Sequence, residues 1–354
     1  MTTYIIRRLL LVPLLLFGVS VIIFLMLQFL SPADRASLYV KEMPRNPNAI
    51  AATINRYGLD KPIYVQYWNW LVGQKDPSSG EIVGGILRGE FGYSRVFSQP
   101  VKDIIRDRFP ATLELALWAV GPIIIIGVWL GIQAAIHHNK LFDQLARIFS
   151  IIGYSFPAFV FGLLVLMLLY AKLHWFPPGR MSDWVSAEIS AGSFTLVTRL
   201  ITIDALLSGR FDIFFDSLKH LVLPVITLSY ISWAQFLRVT RSSMLESLHQ
   251  EFMTTVRAKG ATNSYAIQRH ALPNALIPVA TISGFVVIGL LGGAVITETI
   301  FAFPGIGSAA ARAASNLDVV TVLGFALFNG FILIMANLVT DIIYAVIDPR
   351  VRLS

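Results

Sequence analysis

Long apolar runs alternate with shorter polar segments along this 354-residue chain. A transmembrane helix needs about 20 mostly apolar residues. Six stretches meet that condition, at approximately 9–30, 111–136, 148–171, 221–240, 276–297 and 322–347. The pattern predicts an all-α polytopic membrane protein with six core transmembrane helices.

Basic residues in the short connecting segments predict the orientation, because cytoplasmic loops carry an excess of Lys and Arg. Arg7 and Arg8 precede the first run, Arg257 and Lys259 lie between the fourth and fifth runs, and Arg350 follows the sixth. We therefore expect both termini in the cytoplasm. The first run is longer than a signal-peptide core and no small-x-small cleavage site follows it, so we expect a retained anchor rather than a cleaved signal.

Two predicted extracytoplasmic segments are long. Residues 31–108 combine aromatic and charged side chains, which predicts a small folded excursion with interfacial helices, the aromatics of 64–70 forming an interfacial belt. Residues 172–220 predict an amphipathic helix on the membrane, with a short seventh hydrophobic element as the alternative. We accordingly divide the chain into residues 1–108, the first helix plus the excursion, and residues 109–354, a five-helix core with a polar loop at about 241–275.

Composition agrees with a membrane protein, since 55% of the residues are hydrophobic and 14% are charged, with a mean hydropathy of +0.68. The net charge of +7 is scattered between the apolar runs, which argues against nucleic-acid binding. The chain has no cysteine, and the adjacent His137 and His138 would point about 100° apart on a helix, so we predict no metal site. It also lacks a GxxxxGK[ST] loop, so we expect it to bind no ATP and no other cofactor of its own.

Ionisable residues inside predicted spans are few and lie near the ends of the apolar runs. Glu114 and Asp341 are the two that we identify, and Glu298 borders the outer surface. We expect interfacial solvation or hydrogen bonding for them rather than ion coupling, which disfavours a proton- or sodium-driven transporter. Two GxxxG pairs, Gly127 with Gly131 and Gly289 with Gly293, predict close helix packing against partners that the sequence does not identify.

Residues 251–275 read as soluble protein between two apolar runs. We predict a helix from Glu251 to Lys259, a left-handed end at Gly260, and a second helix capped by Asn263 and closed by Leu272 and Pro273. Such an element suits insertion into a groove on a partner protein, and a hairpin resting on anionic lipid headgroups is the alternative.

The same residues resemble the cytoplasmic EAA loop of ATP-binding-cassette importers, written E-A-A-x3-G-x9-I-x-L-P. Gly260, Leu272 and Pro273 fall at the matching spacing, whereas Thr254, Thr255 and Val256 occupy the E-A-A positions. The stretches "FMTTVRAKG" and "HALPNALIP" resemble the version found in the dipeptide and oligopeptide permeases of bacteria. The chain is similar to the B-type permease subunit of that family over nearly its whole length.

This resemblance implies a type I importer permease, a subunit without ATPase activity, in a bacterial or archaeal plasma membrane. It implies three kinds of partner besides lipid: a second homologous permease, two ATP-binding subunits that use ATP and Mg²⁺, and an extracytoplasmic binding protein that delivers peptides. Oligosaccharides or nickel complexes are alternative substrates, and a secondary transporter is an alternative function. The residues that the resemblance assigns to ATPase coupling are Glu251, Phe252, Arg257, Ala258, Lys259, Gly260, Leu272 and Pro273.

A candidate gate follows the fifth run, in "FAFPGIGSAAARAA". Phe303, Pro304, Gly305 and Gly307 lie there, the proline and glycines interrupt a helix, and Ser308 can cap the next one. A simple re-entry turn is the alternative interpretation. The outer loop reads "NLDVV" where this branch has an R-D-Y-P-like sequence.

Overall fold

The computed structural model describes residues 2–37, 47–76 and 80–347. Within them the chain is largely helical, and its strands are limited to two short hairpins. The predicted all-α fold class is confirmed. Five helices are long and apolar enough to cross a membrane, and a sixth span results if one bent helix pair in the described residues is counted as one.

The long helices agree with five of the predicted runs, although each begins earlier in the sequence and the first and fifth runs end later than their helices. α1 is Thr2–Leu27, α5 is Val101–Ile136 and α16 is Val319–Ile347. The membrane-crossing parts of the five, in chain order, are Ile6–Leu27, Val101–Ile136, Phe211–Leu248, Asn263–Leu291 and Val319–Ile343. The cytoplasmic placement of the two termini stays a prediction.

The third predicted span is not one straight helix. It consists of α6, Leu141–Ser155, and α7, Ala158–Val165, which continues as a π-helical segment, Leu166–Lys172. The two parts are bent by 105° at the break between them. Phe156 is extended, with φ −97° and ψ 119°, because a residue before proline avoids the helical region and Pro157 has no N–H to donate.

The fourth helix is longer than the predicted span, 221–240. Residues 172–220 do not form the single amphipathic helix that the sequence predicted, so that prediction is wrong. α10 runs over 38 residues, Phe211–Leu248, about 57 Å at the helical rise, which exceeds the roughly 30 Å hydrocarbon thickness. Before it come α8, Asp183–Ser190, and the short α9, Ile201–Leu207. The apolar side chains of this insert bury one another in a core of Val185, Phe194, Ile201, Ala205 and Ile213.

The chain forms two compact units, which are discontinuous in sequence. Among the described residues, one comprises 111–304 and 336–347, and the other comprises 2–37, 47–76, 80–110 and 305–335. The predicted division of the chain into residues 1–108 and 109–354 stays a prediction.

In the first unit, α5 and α10 approach closely at the predicted GxxxG pair. A Cβ added to Gly127 would lie 2.5 Å from the Cβ of Phe236, and one added to Gly131 would lie 2.5 Å from the Cβ of Thr240. These distances are shorter than side chains permit, so both positions require glycine. The structure thus identifies α10 as the partner of this pair.

At Gly289, the first member of the second GxxxG pair, no helix among the described residues packs closely. Gly289 lies in α13, Leu272–Leu291, and a Cβ added there meets nothing within 4 Å. Gly293 follows the helix and has φ +97°. The predicted close contact is therefore wrong within this chain.

The second unit contains the folded excursion that the sequence predicted. Its helices are α2, Pro32–Ser37, α3, Pro47–Tyr57, and α4, Ile63–Val72, with a 3₁₀ turn at Ile86–Arg88. β1, Gln74–Lys75, pairs antiparallel with β2, Ile82–Val83, and β3, Tyr93–Ser94, pairs with β4, Gln99–Pro100. A core of Val101, Ile104, Ile105, Ile306, Ala309 and Phe325 joins the start of α5 to α16 and to α15, Ile306–Ser315.

Asp318 is a polar centre of this second unit. Its Oδ2 accepts hydrogen bonds from Ser94 Oγ at 2.5 Å and Thr321 Oγ1 at 2.8 Å, and it is 7% exposed. Asp318 is the acidic residue of "NLDVV", so the departure from the family pattern keeps a carboxylate that ties the β3 region to the start of α16.

The aromatics of 64–70 divide between two roles. Tyr67 and Trp70 pack against Phe24 of α1, with ring centroids 5.2 and 5.5 Å from it. Tyr64 and Trp68 on the other side of α4 are 72% and 61% exposed. Only the second pair remains available for the predicted interfacial belt.

Candidate functional site

The predicted helix of the polar loop is present as α11, Glu251–Ala258. Its side chains are mostly exposed, including Glu251, Arg257, Ala258 and Lys259, and Phe252 is 37% exposed. A helix this short is marginal in water by itself, so tertiary contacts must hold it.

Met253 supplies that contact. It is fully buried, and sequence reasoning did not select it. It packs in a cluster with Ala135 at the end of α5, Met244 of α10, and Ala266, Ile267, Ala271 and Ala275 of the chain that follows. The spacing of Met253 and Val256, two apolar residues three apart, was the available signal, because an amphipathic helix buries one face.

Gly260 ends the helix in the left-handed conformation, as predicted, with φ +83°. Its N–H donates to the carbonyl of Arg257 at 3.0 Å, and the N–H of Ala261 donates to that of Val256 at 3.4 Å. These two bonds form a Schellman motif, which satisfies carbonyls that the helix end leaves open.

The cap of the second helix is Thr262 rather than the predicted Asn263. α12 is Asn263–Ala266, and Thr262 Oγ1 accepts from the backbone N–H of Tyr265 at 3.4 Å. Asn263 Oδ1 instead accepts from Arg257 Nη2 at 3.2 Å. Threonine and asparagine both carry a side-chain oxygen that can accept from a backbone N–H in the first turn of a helix. The local sequence therefore permitted either residue as the cap.

The prediction that Leu272 and Pro273 close the second helix is wrong. The chain continues from α12 through a π-helical segment, Ile267–Ala271, into α13. In the transition the N–H of Leu272 donates to the carbonyl of Ile267, one residue further back than in an α-helix. Pro273 then falls in the first turn of α13, where a missing N–H is tolerated.

The structure brings together most of the residues assigned to coupling. Glu251, Phe252, Arg257, Ala258, Lys259 and Gly260 form one exposed surface on α11 and its turn. Leu272 packs partly buried against the Met253 cluster, and Pro273 is exposed beside it. Tyr265, 56% exposed, lies with its ring 5.9 Å from that of His270. The arrangement offers a projecting, mixed-charge shape for contact with another protein.

The candidate gate residues lie in well-packed surroundings. Phe303 is fully buried against Ala111, Leu115 and Leu221, and its N–H donates to the carbonyl of Glu298 at 2.8 Å. Gly305 is the N-cap of α15 with extended backbone, and Gly307 is buried inside that helix. Ser308 also lies inside α15, where its Oγ donates to the carbonyl of Gly305, so the prediction that it caps the helix is wrong.

The ionisable residues near the predicted outer surface are buried, not solvated. Glu114 is 2% exposed, and its Oε2 accepts from Arg180 Nε at 2.8 Å and Nη2 at 2.7 Å. Its Oε1 accepts from the backbone N–H and the hydroxyl of Thr202, each at 2.7 Å. Glu298, at the start of α14, Val295–Ile300, is fully buried and accepts from Thr112 Oγ1 at 2.9 Å. The expectation of hydrogen bonds is confirmed for Glu114 and Glu298, and that of interfacial solvation is wrong.

Known proteins match this chain along its whole length. The family model described as "Binding-protein-dependent transport system inner membrane component" matches residues 123–353, and the model for the N-terminal part of such components matches residues 1–116. The chain belongs to this family. It is therefore a multi-pass permease subunit of the plasma membrane, a component of a transport system.

Among similar curated permeases is the probable D,D-dipeptide transport system permease protein DdpB of Escherichia coli K12, which is 40% identical over 94% of this chain and 93% of its own. The di/tripeptide permease DppB of Pseudomonas aeruginosa is 38% identical over 99% of both chains. The oligopeptide permease AppB of Bacillus subtilis 168 is 33% identical over 99% of this chain and 100% of its own. The resemblance to peptide-type permeases is thus confirmed.

Proposed function

We propose that this permease forms half of the translocation pathway of an ATP-driven peptide importer, and that the surface of α11 and Gly260 docks on an ATP-binding subunit. The observation that carries the proposal is the combination of one fully buried anchor, Met253, with a continuous exposed surface around it. The peptide substrates named for the similar permeases support the choice of substrate class over oligosaccharides or nickel complexes.

Coupling would be mechanical, because the partner subunits supply the ATP site and its Mg²⁺ and this chain needs no cofactor. Closure of two ATP-binding subunits would push on α11 of each permease. Contacts of Arg257 and Lys259 would stay partly exposed and contribute about 0–1 kcal/mol each. Shape fit around Phe252 and Ala258 therefore dominates the docking.

A second permease of similar fold completes the pathway in this proposal, since six helices do not enclose a peptide-wide passage. An extracytoplasmic binding protein delivers the peptide to the outer segments, as the description of the family implies. The segment from Phe303 to Gly307 would open and close the pathway at that side. Its fully buried phenylalanine is the group that such an opening would have to displace.

Disulfide cross-linking tests the docking directly, because the natural chain has no cysteine. Cysteine is introduced as Ala258→Cys and, separately, in the cleft of each ATP-binding subunit encoded with the system. The matched control is Val197→Cys, which is 81% exposed in the extracytoplasmic insert. We expect a nucleotide-sensitive cross-link from residue 258 and none from residue 197.

Absence of a cross-link from Ala258→Cys in an assembled, folded complex would contradict the docking. It would favour the alternative, in which α11 rests on lipid headgroups. Uptake of labelled di- and tripeptides in proteoliposomes, compared with a labelled oligosaccharide and a nickel complex, tests the substrate class. Peptide uptake that depends on ATP is the expected outcome.

A further inference from the structure

An ion pair between a fully buried carboxylate and a partly buried arginine links α6 to α10 close to the proposed coupling surface. Asp143 in the first turn of α6 is fully buried. Its Oδ1 accepts from Arg241 Nε at 2.5 Å, and its Oδ2 accepts from Arg241 Nη2 at 2.9 Å. Oδ2 also accepts from the backbone N–H of Asn139 at 3.0 Å and lies 3.8 Å from Arg147 Nη2.

Arg241 lies near the C-terminal end of α10, shortly before the segment that leads to α11. One helical turn further on, Met244 packs against Met253. Only His249 and Gln250 separate the end of α10 from the start of α11. A displacement of α11 therefore reaches the last turns of α10 first.

The part of α6 after Asp143 also packs against α10. Ala146 and Leu237 share a buried cluster, and Ser150 Oγ donates to the carbonyl of Ala234 at 3.1 Å. α6 then leads to the 105° break before α7. Breaks at proline are places where two helical segments change their angle with little loss of hydrogen bonding.

The hydrophobic effect is non-directional, so apolar contact by itself does not fix the relative orientation of two helices. A two-point Arg–carboxylate pair instead fixes the relative orientation of the two helices. Buried ion pairs are weak evidence for stability, and fixing a geometry is among the roles proposed for them.

We propose that Asp143 and Arg241 are positioning residues that transmit the movement of α11 to α6 and to the break before α7. The inference rests on the proposed docking of α11 on an ATP-binding subunit. The movement of α11 would then reach the membrane helices by two routes. One is the ion pair between Asp143 and Arg241, and the other is α12, which continues into α13.

The test compares transport with ATP hydrolysis in the whole reconstituted transporter. In Asp143→Asn and in Arg241→Lys we expect the peptide transported per ATP hydrolysed to fall by about tenfold, within the range of coupling between sites. The rate of ATP hydrolysis should change much less. The matched control is Asp212→Asn, since Asp212 forms an exposed pair with Arg210 on the same helix.

A conformational readout distinguishes transmission from simple support of the fold. Ile152 lies on α6 just before the break, and its side chain is 50% exposed in this chain. Ile152→Cys therefore places a reporter group at that position. The fluorescence of an environment-sensitive label on that cysteine should change with nucleotide in the otherwise natural chain, and Asp143→Asn should abolish that change. The nucleotide-sensitive cross-link from Ala258→Cys should persist in the same variant.

The outcomes separate this inference from the proposed function. An unchanged ratio of transport to hydrolysis, or a nucleotide response at residue 152 that survives Asp143→Asn, would overturn the transmission role while the docking stands. Loss of the residue 258 cross-link in the natural background would refute the docking itself. If Asp143→Asn fails to assemble, Arg241→Lys, which keeps the charge, decides by the same two measurements.

Discussion

The insert between α7 and α10 and the loop around α11 lie in the same compact unit and are held to the rest of it by different means. The insert, residues 173–210, has an apolar core of its own and is tied to α5 by a buried ion pair: Arg180 is 9% exposed and pairs with Glu114, which is 2% exposed. The loop around α11 is secured by apolar contact at Met253, and its charged side chains stay exposed.

The difference separates a support from a contact surface. A buried, paired charge cannot be offered to another protein without breaking its hydrogen bonds, so Arg180 and Glu114 position the insert. Exposed charges around one buried anchor can meet a partner while the helix keeps its place. Three substitutions test the comparison.

Breaking the buried pair should have the largest effect. Arg180→Met leaves Glu114 buried with only the two Thr202 donors, and loss of one partner of a buried pair costs about 3–5 kcal/mol. Thermal unfolding of the purified subunit or complex in detergent measures the loss. Arg210→Met is the control, because Arg210 forms partly exposed pairs with Glu188 and Asp212, and equal losses in both variants would refute the contrast.

Removing the apolar anchor should have an intermediate and local effect. Met253→Ala empties a fully buried position, for which Met→Ala costs about 2–5 kcal/mol. Amide hydrogen exchange of α11 should speed up accordingly. Phe252→Ala is the neighbouring control, since it should leave exchange unchanged and reduce only the cross-link to the ATP-binding subunit.

The same pair of variants can sharpen the comparison further. If Phe252→Ala speeds exchange of α11 as much as Met253→Ala does, the helix is held by both faces. The exposed surface would then be part of the support, and the distinction between anchor and contact surface would fail.

Changing the turn should have the smallest effect. Gly260→Ala places a side chain at φ +83° with nothing within 4 Å of the new Cβ, so backbone strain of about 1 kcal/mol is the expected cost. Gly260→Asn should cost less, because asparagine adopts this conformation more readily. Exchange of the amides at the end of α11 measures both, and an equal response to the two substitutions would contradict the backbone origin.

Local patterns predicted the elements better than their ends. The apolar runs located the membrane helices, and Gly260 marked the end of α11 because its φ is a property of a few neighbouring residues. The cap at Thr262 and the passage of the chain through Pro273 were mispredicted. In both cases several local solutions were available, and the packing of Ala266, Ile267 and Ala271 around Met253 selects the observed one.

The sequence did not predict which charged side chains are buried and paired. Glu114 and Arg180, like Asp143 and Arg241, are far apart along the chain, and neither pair has a spacing that would reveal it. A carboxylate near the end of an apolar run is equally compatible with water, lipid headgroups or an arginine from another segment.

The sequence by itself determined the helical membrane fold, the family and the position of the exposed loop, since these follow from hydropathy, glycine and short motifs that need no distant partner. Only the tertiary structure decided which residues anchor that loop, where the third span breaks through 105°, and which charges are buried together. The physical reason is that burial and pairing depend on the sum of contacts from segments remote in sequence, whereas a helix or a left-handed turn depends mainly on its neighbours.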